Sequence, residues 1–374
     1  MYSEDVLIAG NSMIPKSIDE VTTAWLGDAL DSELAPFTVD QIGQGVGIMG
    51  DIYRVHLSQE SDPLVPASVV VKLPSSFEEN RAQGVALGMF EAEVKFYKEL
   101  APSMPVGLPK IHLAEINTGT AEFVIVMEDL CDLELVDQTV GMTAEQASAA
   151  VKVLAEIHSV WWNKAQAEEM VWIESMVGPR IEFVDQALVQ MLPVFVEGFA
   201  ARLPPGGVAL YELFAGNYRV INRVLAQRSP WTLVHQDFRV ENMLFGPAGS
   251  DEVKVIDWQG IGRGPGAYDL AYLLGGSMDV ALRRDLEQTL VKTYFDALLA
   301  SGVADYSFEQ LWDDYGHAQL MGGLATSLMV GGGMDLSNER GFELIATMAH
   351  RHAQAALDHN GIARLEKVLV EAST

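Results

Sequence analysis

The sequence predicts an α+β protein in two parts: a small antiparallel sheet lobe first, then a larger, mainly helical lobe. Three observations carry this prediction. Short valine- and isoleucine-rich runs of strand length crowd the first third of the chain. From Thr143 onward apolar residues recur at helical spacing instead. Between helical stretches, Leu233–Phe245 and Val253–Gln259 place two short apolar runs around a polar cluster of His235, Asp237, Asn242 and Asp257.

Size and composition bound the rest. A chain of 374 residues buries a substantial core, and its 20% charged content is that of a folded protein. The formal net charge of -28 argues against a nucleic acid or an anionic membrane as partner, since phosphate would be repelled over most of the surface. The single cysteine, Cys131, excludes an intramolecular disulfide and a thiolate-rich metal site. No leader pattern opens the chain and no run is read as a membrane span, so a cytoplasmic protein is expected.

In order, Ser17-x-x-Glu20 reads as a capping box for a helix carrying Val21, Trp25, Leu26 and Leu30, with Pro36 ending it. Phe37–Ile42, Ile52–Leu57 and Ser68–Leu73 read as three strands. Gly45, Gly47 and Gly50 lie between the first two in a G-x-G-x-x-G spacing. That pattern occurs both in dinucleotide-binding turns, where a helix follows, and in kinase phosphate loops, where a strand returns. Here Asp51–Leu57 alternates as a strand, which favours the phosphate loop over a dinucleotide-dependent oxidoreductase. Glycines let backbone N–H groups approach phosphate without Cβ obstruction.

Lys72 closes the valine-rich run. On the next helix Phe90, Val94 and Tyr97 form an apolar stripe with Glu93 beside it, a costly place for an unpaired carboxylate; Glu91 lies to the other side. Lys110–Ile116 and Ala121–Met127 read as a hairpin, followed by the polar turn Glu128-Asp129-Leu130. The two parts are expected to divide there, as residues 1–129 and 130–374.

Thr143-x-x-Gln146 reads as a capping box for a helix with Ala147, Val151, Leu154, Ile157 and Trp161 on one face. His158 on that face is read as a packing group, and Trp161 and Trp162 likewise. A helical region from about Gln186 to Gln227 is broken at Pro204–Gly207. After the polar cluster come a glycine loop over Gly260–Gly266 and a helix from Tyr268. Two helices over Val280–Ala300 and from Ser307 follow, then a loop or hinge at Gly331–Gly333 and a helix over Glu339–Asp358.

A carboxylate with an amide five residues on, and a second carboxylate ending a nearby strand, is the oxygen set that Mg²⁺ and a phosphate chain require. The spacing His235-x-Asp237-x4-Asn242, then Ile256-Asp257, resembles the catalytic and metal-binding elements of the protein-kinase-like fold. The resemblance is to the branch of aminoglycoside phosphotransferases, choline kinases and ecdysteroid-type kinases. Asp257-Trp258-Gln259, Glu93-Val-Lys-Phe-Tyr97, Glu128-Asp-Leu130 and Ala155-Glu-Ile-His158 followed by tryptophans point to the ecdysteroid type.

That resemblance implies a bilobal fold and ATP- and Mg²⁺-dependent phosphorylation of a hydroxyl on a small molecule, a steroid-like or other apolar alcohol being favoured. It implies that Asp237 accepts or orients the hydroxyl proton, that Asn242 and Asp257 ligate the metal, and that Lys72 pairs with Glu93 and holds the α- and β-phosphates. The glycines Gly45, Gly47 and Gly50 would cover the phosphates, and backbone groups at Glu128 to Leu130 would meet the adenine. His235 and Asp269 are implied to be scaffolds of the loop. The alternative within the fold is a non-catalytic nucleotide-binding pseudokinase.

Overall fold

The computed structural model describes residues 13–43, 50–58, 65–104 and 107–372. The chain divides into two compact units. One runs to Pro102 and resumes over Pro109–Leu130; the other comprises Ser103–Leu108 and everything from Cys131.

Among the described residues the first unit is built on five strands: β1 (Thr38–Ile42), β2 (Gly50–His56), β3 (Ser68–Pro74), β4 (Ile111–Asn117) and β5 (Glu122–Glu128). They are antiparallel in the order β1-β2-β3-β5-β4, so β3 is central. β3 and β5 are buried along most of their length, which is why both read as continuous apolar runs rather than alternating ones. Val69, Val71 and Leu73 join Val124 and Val126 in a core beneath helix α1 (Thr23–Leu30), together with Leu26 and Trp25. Successive strand residues point to opposite faces. Lys72 and Phe123 therefore face the other side, where helix α3 (Met89–Lys95) follows the short helix α2 (Glu78–Ala86); the Phe90 ring on α3 packs tilted against Phe123, centroids 4.7 Å apart.

Helix α1 begins later than the sequence suggested. Ser17 makes no side-chain cap and precedes only a single 3₁₀ turn, Ile18–Glu20; Thr22 caps α1 by accepting from Trp25 N at 3.2 Å. Glu20 is instead drawn to Lys16, whose backbone N–H it accepts.

The second unit comprises α4 (Ala144–Val160), α5 (Arg180–Phe199), α6 (Gly207–Phe214) and α7 (Tyr218–Arg228), then α8 (Ala267–Gly276), α9 (Val280–Ala300) and α10 (Phe308–Ala318). Helices α11 (Gly322–Gly333), α12 (Glu339–Asp358) and α13 (Gly361–Ala372) complete it. Two small sheets of three strands are set among these helices. One is β10 (Val253–Val255), β9 (Met243–Phe245) and β6 (Glu134–Leu135); the other is β7 (Glu174–Ser175), β11 (Gly262–Pro265) and β8 (Trp231–Val234). Thr143 and Gln146 form the expected capping box, and Ser307 caps α10 through Gln310 N.

Three readings of the sequence are corrected here. Gly331–Gly333 is no hinge but the end of α11: Cβ atoms at Gly331 and Gly332 would fall 2.8 Å from the Phe195 ring and 2.5 Å from Met191 Cβ, so the glycines let α11 press against α5. Gly260–Gly266 is not simply a loop, since β11 runs through it. Side chains of Gln236 and Met176 occupy the space where Cβ atoms of Gly262 and Gly264 would stand. Finally, Arg180–Arg202 is long and apolar enough to span a membrane by length and composition. It contains Glu182, Asp185 and Pro193, and it places Ile181, Leu188, Phe195 and Phe199 in the core of the helical unit.

Candidate active site

The site residues of the second unit hang on β8 and the turn that follows it. β8 is wholly buried and delivers His235, Gln236 and Asp237 at its end. Gln236 is held in the left-handed region at φ 68°, an unfavourable conformation for a residue with a Cβ. Asp269, in the first turn of α8 and fully buried, holds it there. Its two carboxylate oxygens accept from the backbone N–H groups of His235 at 2.6 Å and Gln236 at 3.0 Å. His158 approaches the same carboxylate at 3.3 Å and Tyr294 Oη at 2.8 Å, which makes it a buried bracket between α4, α8 and α9.

His235 ties the two halves of the polar motif together. Its Nδ1 accepts from Asp237 N at 3.3 Å and its Nε2 lies 3.0 Å from the Ile256 carbonyl. A carbonyl only accepts, so the ring carries its proton on Nε2. The ring also packs edgewise on the buried Trp258 at 4.7 Å.

Asp237 is partly exposed, and its carboxylate is directed at both oxygens. Oδ1 accepts from Tyr272 Oη at 2.9 Å; Oδ2 accepts from Asn242 Nδ2 at 2.9 Å and from Arg239 Nε at 3.3 Å. Burial and the Asp237 charge hold the Tyr272 hydroxyl well above the ordinary tyrosine range, so it is a donor here at any working pH. Burial works against the charge on Arg239, but Asp237 and Glu241, with which it also pairs, hold its pKa above the ordinary value. Tyr272 and Arg239 were not singled out by the sequence. An i, i+3 relation of Tyr272 to Asp269 on one helix face was the available signal.

Asn242 closes a short turn. Its Nδ2 also donates to the Asp237 carbonyl at 2.9 Å, and its own carbonyl accepts from Ile256 N at 3.0 Å. Its amide nitrogen is thus committed, and the amide oxygen is the atom left for a cation. Asp257 follows β10 with φ 66° and ψ 56°, a second strained non-glycine residue, and accepts from Gln259 Nε2 at 3.1 Å. An acidic oxygen, an amide oxygen and no nitrogen or sulfur donor is a set suited to a hard, hydrated divalent cation.

In the first unit, Lys72 on β3 donates to both carboxylate oxygens of Glu93 on α3, at 2.8 and 2.7 Å, with both groups buried. Glu91 instead pairs with Lys95 at the surface. Gly50 opens β2 opposite Pro74, and a Cβ there would lie 3.2 Å from Lys72 Cε. The glycine therefore makes room for the lysine stem. Gly45 and Gly47 lie outside the described residues.

Glu128 ends β5 with its N–H donating to the Lys110 carbonyl at 2.8 Å and its carboxylate accepting from Lys110 N at 2.9 Å. Asp129 accepts from Arg54 and from Ser68, which pins the strand ends. Leu130 is half-buried at the end of the unit.

The antiparallel sheet with its buried lysine–glutamate pair, and the helical unit with its His-x-Asp loop, define a protein of the kinase-like fold. The chain belongs to the ecdysteroid kinase-like family, whose model matches residues 44–302. Among solved structures it is similar to the choline kinase from Cryptosporidium parvum Iowa II, with 13% identity, 90% of this chain and 92% of that one covered, and a TM-score of 0.55. It is also similar to the GDP complex of wild-type aminoglycoside 2'-phosphotransferase-IIIa (14% identity, 83% and 92% covered, TM-score 0.51). A third is the amicoumacin kinase hAmiN in complex with AMP-PNP, Ca²⁺ and Ami (12% identity, 86% and 92% covered, TM-score 0.50). At these identities the likeness is one of fold. No curated protein matches the chain by sequence.

Proposed function

We propose that this protein is an ATP- and Mg²⁺-dependent phosphotransferase acting on a hydroxyl group of a small organic molecule in the cytoplasm. The observation that carries the reading is the Asp237 carboxylate, half-exposed and aimed by Tyr272, Asn242 and Arg239. A carboxylate held at both oxygens by donors, with one side open to solvent, is arranged to orient an acceptor hydroxyl and take its proton. In-line phosphoryl transfer asks for positioning and charge neutralisation more than for covalent help.

Asn242 and Asp257 would hold the Mg²⁺, which supplies neutralisation of the phosphate charge. Lys72, fixed by Glu93, would meet the α- and β-phosphates, and the segment containing Gly45, Gly47 and Gly50 would supply backbone N–H groups to them. Because the Glu128 N–H is already engaged by Lys110, the adenine edge would be met further along, at Leu130.

A calorimetric titration with Mg-ATP tests the reading. Metal-dependent binding in the wild type and its loss in Asp257→Ala is the expected result. A folded wild type that binds neither ATP nor GTP would leave the loop as scaffold alone.

A further inference from the structure

The Gln259 side chain has one half of its amide satisfied and the other half orphaned. Nε2 donates to Asp257 Oδ2 at 3.1 Å, while Oε1 is buried from solvent and has no hydrogen-bond partner among the described residues. Swapping the two atoms does not relieve this, because a carboxylate only accepts and needs the nitrogen facing it. A buried carbonyl oxygen left unpaired costs about 1–3 kcal/mol. This atom lies in the turn that carries Asp257 at φ 66°, where a donor would satisfy it.

We infer that Gln259 is the outer clamp of the cation held at Asp257: its amide nitrogen fixes the carboxylate, and its amide oxygen accepts from a water in the cation's coordination shell. The chemistry is self-consistent. A Mg²⁺-like ion keeps several waters, and water bound to a dication is a strong donor and a poor acceptor. The orphaned atom is an acceptor. The carboxylate that the nitrogen contacts sits on Asp257, in the left-handed region at the start of a single 3₁₀ turn. Outer partners of this kind orient a ligand and complete the ion's hydration shell, and their loss typically weakens metal binding about 10–100-fold. The inference rests on the reading of Asp257 as a cation ligand, and the test separates the two.

The probe is Mn²⁺ alone, titrated into the full chain while the paramagnetic resonance signal of the free ion is followed. Gln259→Met keeps the length of the side chain but neither donates nor accepts; it is expected to weaken Mn²⁺ binding about 10–100-fold with little change in Tm. Gln259→Glu keeps an accepting oxygen and adds charge, and is expected to bind about threefold more tightly than the wild type. Methionine-variant affinity within about twofold of wild type overturns the inference. If Asp257→Ala also leaves Mn²⁺ affinity unchanged, the reading of Asp257 itself fails. Should the methionine variant not fold, the glutamate variant decides. It gains about threefold, the size of a half-exposed ion pair, if the side chain faces the ion, and no change overturns the inference.

Discussion

Tyr272 Oη donates to Asp237 Oδ1 at 2.9 Å from within a helix whose first turn carries Asp269, the residue that holds the loop backbone. One helix, α8, thus fixes both the main chain of the loop and the carboxylate it presents. Tyr272→Phe removes only the hydroxyl. A hydrogen bond to a charged group is worth about 1.5–3 kcal/mol, so turnover is expected to fall about 10–100-fold while the KM for nucleotide stays. Steady-state ADP release checks this, and a changed nucleotide KM with unchanged kcat would contradict it.

Asp269→Ala should act through stability instead. It leaves the His235 and Gln236 N–H groups without their acceptor and releases a residue held at φ 68°. Each buried unpaired donor costs about 1–3 kcal/mol, so a loss of several kcal/mol is expected in urea denaturation. A loss below about 1 kcal/mol would show that the bracket is not needed.

Lys72 and Glu93 form a buried pair, and removing one partner takes a counter-charge from a group that stays buried. Glu93→Leu is expected to cost about 3–5 kcal/mol, and the double variant with Lys72→Met to recover part of it. Chemical denaturation of the three variants measures this; a double variant less stable than Glu93→Leu would contradict it.

Acid should loosen the helical unit before its carboxylates titrate. Burial lowers His317 to about 4 and His352 to about 3, against an ordinary value of 6.5. Both are neutral when folded and gain a proton on unfolding as the pH drops. Their stabilising contribution is whole above about 6.5 and is lost progressively down to those lowered values. Each removes roughly 2 kcal/mol by pH 5. Asp314, raised by burial, works in the opposite sense. His317→Gln should flatten the dependence of the urea midpoint between pH 7 and 5, and an unaltered slope would refute the assignment.

Much of this was legible in the sequence, for reasons that particular residues make plain. The valine run of β3 and the capping residues Thr143 and Ser307 announce their elements because local chemistry alone specifies them. His235, Asp237, Asn242 and Asp257 are legible as a spacing, and Glu93 as a carboxylate on an apolar stripe. Helix α11 was not legible: its glycines are chosen for a close approach to Met191 and Phe195, which no local pattern encodes. β11 escaped for the same reason, since its glycines answer to Gln236 and Met176 far away in sequence. Tyr272 reads as one more apolar residue of a buried helix until the fold brings its hydroxyl to Asp237.

The most direct test of the account is transfer of the γ-phosphoryl group from labelled Mg-ATP to a panel of small alcohols, with the wild type beside Asp237→Asn. The account predicts a labelled alcohol with the wild type, and a variant that binds Mg-ATP with wild-type affinity yet transfers at least about a hundredfold more slowly, the usual worth of a positioned base. Undiminished transfer by Asp237→Asn would contradict it.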